Sequence, residues 1–141
     1  MRAGLLSLLV VLALAACSKS DGGAASTGIG SNSPGGAASG PREALLDAWK
    51  KGGLTPSPLT AAAVPVGKDC QSGTVGALDV LLCVFPSKAE AKLAENAGLG
   101  WVGDATGASQ AAGPVLVVIA DRRKGDPSGR TINQMMKLAP R

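Results

Sequence analysis

Hydrophobic and polar positions divide the chain into three regimes. From Leu5 to Ala16 nearly every position is apolar, with only Ser7 interrupting. From Ser18 to Pro41 large apolar residues vanish, and Ser, Gly and Ala dominate around a lone Ile29. From residue 42 onward apolar residues return with a period. Leu45, Leu46, Ala48 and Trp49 share one face of a helix. Pro41 suits the first turn of that helix, Glu43 the positive end of its dipole, and Gly52-Gly53 its end, with Leu54 placed to pack back.

Pro56, Pro58 and Pro65 make Leu54 to Gly67 an extended, non-helical connection. Two strand-like runs follow, Asp69–Val75 and Leu78–Phe85, joined by Gly76-Ala77. Glycine at the first position of a two-residue loop is the type II′ preference, so the runs form a β-hairpin. That loop sets Val75 opposite Leu78, Thr74 opposite Asp79 and Cys70 opposite Cys83. Alternation from the loop makes the cysteines a non-hydrogen-bonded pair, with Cα atoms about 4.5 Å apart. A disulfide spans that distance, and one closing a loop of this size contributes roughly 3 kcal/mol. On the second strand Leu78, Val80, Leu82 and Val84 line one face, and Leu81, Cys83 and Phe85 the other.

Ser87-Lys88-Ala89-Glu90 is a capping box, opening a helix that is expected to end at Gly98 with Ala89, Leu93 and Ala97 buried. Gly103 and Gly107 invite a phosphate-loop reading. The stretch lacks the Lys-Ser/Thr of a Walker loop and the glycine spacing of a dinucleotide fingerprint, so it is read as a turn between two strands. Gly113-Pro114 is a second turn, from a short strand near Ser109–Ala112 into Val115–Ala120. That unbroken apolar run predicts a central strand covered on both faces. Asp126 is placed as an N-cap with Pro127 at the first helical position; Ile132, Met135, Met136 and Ala139 form the stripe of a last helix stopped by Pro140.

The order α-β-β-α-β-β-α predicts a two-layer α+β fold, an antiparallel sheet of three to four strands with helices mainly on one face. The chain divides into a leader (1–16), a Ser/Gly/Ala-rich tether (17–41) and one small domain (42–141). The tether cannot bury enough surface to offset its conformational entropy and is expected to be disordered, with a reach of roughly 25–30 Å.

Composition narrows the chemistry. The 141 residues carry 14 Lys+Arg against 10 Asp+Glu, a net charge of +4 that is spread along the chain and does not point to nucleic acid. Histidine and tyrosine are absent, and Trp49, Phe85 and Trp101 are the aromatic residues. The chain therefore lacks the commonest general base and metal ligand, and the platforms of a carbohydrate site. No metal or cofactor is assigned. Asp69, Asp79 and Asp104 are carboxylates for a hydrolase, but no spacing links them. Cys70 and Cys83 lack the Cys-x-x-Cys spacing of a redox pair and are read as structural. The dense charge cluster Asp121-Arg122-Arg123-Lys124, with Arg130, lies near a helix N-terminus. It is either an anion or anionic-lipid contact or a solvated loop capped by Asp126.

The leading segment settles the odd cysteine. Met1-Arg2 is a minimal positive region, and the apolar run is shorter than the about 20 residues of a membrane-spanning helix. It ends in Leu14-Ala15-Ala16-Cys17, which resembles the lipobox of bacterial lipoprotein precursors. The resemblance covers residues 1–17. It implies diacylglyceryl transfer to the Cys17 sulfur, cleavage before Cys17 and acylation of the new amino group. Two or three acyl chains would hold the protein on a bilayer. Ser18, where enterobacterial inner-membrane lipoproteins carry Asp, favours the outer membrane, and an oxidising envelope permits the Cys70–Cys83 bond. The expectation is a lipid-anchored envelope protein that is not an enzyme and binds a protein partner or stabilises an envelope assembly. The alternative is a small-ligand or anion-binding module using Arg122, Arg123, Lys124 and Arg130.

Overall fold

The computed structural model describes residues 40–141. The leader, Cys17 and the tether up to residue 39 lie outside the described residues.

Helix α1 (Pro41–Lys51) opens on its proline and buries Leu45 and Trp49. It closes as the glycines require: Gly53 has φ +84°, and Leu54 N–H donates to the Trp49 carbonyl at 3.0 Å. Arg42 is buried beneath it and pins its first turn to the start of β2, bonding the Asp69 carboxylate at 2.7 Å and carbonyl at 2.8 Å.

The proline-rich connection carries a two-residue strand, β1 (Thr60–Ala61), along β2 (Asp69–Val75). Its non-proline residues supply the donors: Ser57 N–H bonds the Thr74 carbonyl and Ala62 N–H the Cys70 carbonyl. Strands β2 and β3 (Leu78–Val84) pair in the predicted register, from Val75–Leu78 down to Cys70–Cys83 and Asp69–Val84. Gly76 alone of the two loop residues has positive φ, as a type II′ turn demands. Cys70 and Cys83 form a buried disulfide with Cα atoms 4.0 Å apart.

Ser87 Oγ accepts the Glu90 N–H and starts α2 (Lys88–Leu93). The chain bends at Ala94, whose N–H is shared between the Glu90 and Ala91 carbonyls, and continues as α3 (Glu95–Val102). Strands β4 (Thr106–Ala112) and β5 (Val115–Asp121) form the second hairpin across Gly113-Pro114, and α4 (Arg130–Leu138) closes the domain.

The α+β class with an antiparallel sheet is as the residues predict. The arrangement is richer in three respects. The sheet has five strands in the order β1-β2-β3-β5-β4, because the proline-rich connection adds one. The middle helical stretch is two helices. The helices also lie on both faces, so the fold is not the expected two-layer one. On one face α1 and α4 pack through Leu45, Trp49, Ile132 and Met135 on Val80, Leu82, Val117 and Ile119. On the other, α3 packs through Val102 on Leu81, Leu116 and Val118, beside the disulfide. The apolar density of β5, buried at every position, requires that second cover.

The buried face of α2–α3 also differs from the expectation. Gly98 does not end a helix; it is a contact point. A Cβ there would overlap Ser109 Oγ and stand 2.9 Å from Val118 Cγ2, so the missing side chain lets α3 lie directly on the sheet. Ala91, Gly98 and Val102 face inward, whereas Ala89, Leu93 and Ala97 are exposed.

Candidate functional site

A cleft of about 720 Å³ lies between the turn after α3 and the loop after β5. Trp101, Asp104 and Thr106 form one wall, and Asp121, Arg122, Lys124 and Pro127 the other. The glycine-containing stretch 101–107 therefore does not join two strands. It is the end of α3, a turn and the start of β4, with Gly103 at φ +64° reversing the chain.

The basic wall is shaped by carboxylates. Asp121, buried at the end of β5, accepts Gly125 N–H with one oxygen and Asp126 N–H with the other, at 2.7 and 2.8 Å. This folds residues 122–126 into a tight excursion, in which Lys124 takes a left-handed φ of 55°. Asp126 then accepts Ile132 N–H at 3.0 Å. It caps α4 from a distance: the helix starts at Arg130, with Gly129 and not Asp126 as its N-cap residue. Residues 127–129 make a turn, closed by Gly129 N–H on the Asp126 carbonyl, so Pro127 lies outside the helix.

The four predicted cations are not one site. Arg122 and Arg123 both bond Asp79, at 3.3 and 2.9 Å, from opposite oxygens. Arg122 also donates to the Trp101 carbonyl at 2.6 Å and stacks over the Trp101 ring at 4.1 Å. Arg123 reaches the Ala77 carbonyl at 3.0 Å, tying the loop to the first hairpin. The cleft takes in Arg122 and Lys124, while Arg123 and Arg130 lie outside its lining. Such exposed pairs each contribute about 0–1 kcal/mol, and the stacking about 0.5–1 kcal/mol.

The three carboxylates weighed for hydrolysis are also apart. Asp69 pairs with Arg42, and Asp79, at the other end of the same hairpin, with the two arginines. Asp104 stands in the cleft wall. Among the described residues no group of three or more His, Cys, Asp or Glu side chains could hold a metal ion. Sequence reasoning missed the Trp101–Arg122 stack and the Asp121 loop anchor. The second had a signal, an Asp followed by a charged turn and Gly125; the first had none, because it joins residues from separate elements.

No family model, curated protein or solved structure matches the chain.

Proposed function

We propose that this chain is a lipid-anchored protein of a bacterial envelope whose folded domain is a non-enzymatic protein-binding or envelope-structural module. One observation carries the reading: two of the three cysteines are joined to each other, which leaves Cys17, at the lipobox position, as the remaining thiol. A disulfide between adjacent strands suits the oxidising side of a membrane. No helix among the described residues is long and apolar enough to cross a bilayer; in this reading the acyl chains of Cys17 are the attachment. Ser18 favours the outer membrane.

The cleft supports a binding role over a catalytic one. Asp79 and Asp121 are committed to structural bonds, and no histidine is present to act as a base. What remains is a mixed-charge wall of Asp104, Thr106 and Lys124 around the aromatic Trp101, the kind of residue enriched at protein interfaces. Nucleic acid, metal and cofactor have no part in this reading.

Metabolic labelling with palmitate tests the anchor. The wild-type chain is expected to label and Cys17→Ser not to; equal labelling refutes it. Cross-linking in intact cells, followed by identification of the captured proteins, tests the binding role.

A further inference from the structure

The two edges of the sheet are built differently. The β1 edge is two residues long and lies in a stretch containing Pro56, Pro58 and Pro65, the usual means of blunting an edge. The β4 edge runs for seven residues, Thr106-Gly-Ala-Ser-Gln-Ala-Ala112, with no charge and no proline. The pair closing a two-residue hairpin loop is hydrogen-bonded, so Ala112, Gln110, Ala108 and Thr106 bond β5. Gly107, Ser109 and Ala111 therefore turn their backbone groups outward. The structure confirms the phase independently: Ala111 N–H donates to Glu95 Oε1 at 2.9 Å, outside the sheet. Among the described residues this is the one side-chain bond to that edge.

Helix α3 runs antiparallel to β4 along this edge. Glu95 reaches Ala111, Gly98 sits on Ser109, and Val102 packs on Gly107. Leu99 is one turn beyond Glu95 on the same flank, 49% exposed and level with the midpoint of the strand.

We propose that β4 is a self-association edge, at which two copies pair β4 to β4, antiparallel, about a two-fold axis at Ser109. The small, uncharged strand meets its own copy without like-charge repulsion, and Gly107 falls opposite the partner's Ala111. The axis passes level with Leu99, so the two Leu99 side chains meet and leave water. A partner strand needs the Ala111 N–H that Glu95 holds, which makes Glu95 a competitor for the edge. The inference deepens the binding reading by naming one partner, and rests on it for the shared bilayer that would concentrate the copies.

Cysteine cross-linking of the full chain in phospholipid vesicles tests it. Leu99→Cys, at the axis, is expected to form an oxidised dimer roughly 10-fold faster or more than Leu93→Cys, which is 83% exposed but away from the edge. Adding Glu95→Ala should raise the Leu99→Cys rate, and adding Gln110→Lys, a charge on the edge, should lower it. Equal rates at 99 and 93, no dimer at 99, or a heterologous protein captured in its place overturns the proposal. Palmitate labelling of the same samples separates the two readings. Labelled protein that fails to cross-link at 99 overturns the pairing alone; unlabelled protein whose dimer is linked through residue 99, located by peptide mass spectrometry, overturns the anchor alone.

Discussion

The indole nitrogen of Trp49 donates to the carbonyl oxygen of Met135 at 2.9 Å, in the interior between the first and last helices. Met135 is among the last four residues of α4, whose carbonyls have no partner within the helix. Trp49 thus fills the core and satisfies a helix end at once. Trp49→Phe keeps most of the volume and orphans the carbonyl, so it should cost roughly 1–3 kcal/mol, against about 3–5 for Trp49→Ala. Urea unfolding measures both. A Phe variant as stable as wild type would mean the carbonyl finds another partner.

The disulfide gives a second prediction. Replacing both cysteines, Cys70→Ser with Cys83→Ser, should lower stability by roughly 3 kcal/mol. Wild type in reductant should unfold at the same denaturant concentration as the double variant in its absence. A double variant indifferent to the loss would show that the ladder alone holds the hairpin.

Arg122 and Arg123 already have an anion, the carboxylate of Asp79. Phosphate should therefore leave the thermal unfolding of the wild type unchanged, and that of an Arg122→Ala, Arg123→Ala variant likewise. Asp79→Asn uncovers both guanidinium groups and should gain a phosphate response that salt abolishes. A wild-type response that disappears in the double arginine variant would restore the anion-binding reading.

Gly98 and Gly100 sit two residues apart in α3 and should answer oppositely to alanine. At Gly100 an added Cβ meets nothing within 4 Å, and Gly100→Ala should stabilise by up to about 1 kcal/mol through helix propensity. At Gly98 the methyl overlaps Ser109 Oγ, and Gly98→Ala should cost about 1–3 kcal/mol. Ser109→Ala removes the obstructing oxygen and should recover part of that loss. Additive single and double effects would show that the two residues do not touch.

The register of the first hairpin was legible to the residue, because two local signals agree there: a glycine-first loop and a cysteine pair at equal distance from it. The helix stripes Leu45/Trp49 and Ile132/Met135 were legible for a similar reason, since large side chains at helical spacing have one place to go. The stripe of α2–α3 was not. Its inward residues, Ala91 and Gly98, are small, and the larger Leu93 and Leu99 point outward, so size was the wrong guide to burial. The layer count failed on a conflict within the sequence itself, because a wholly apolar β5 requires covers on both sides. The cleft was only half visible: its charges are written in the chain, but their pairing with Asp79 and Trp101 is a product of the fold.

The bond between Trp49 and Met135 has a consequence for how the chain is made. The domain's first helix cannot complete its seat until α4 has been synthesised, and β5, the interior strand between β3 and β4, also comes late. An emerging chain can pair β2 with β3 early, because that contact is local, but the sheet and the α1–α4 layer close only once β5 and α4 have followed.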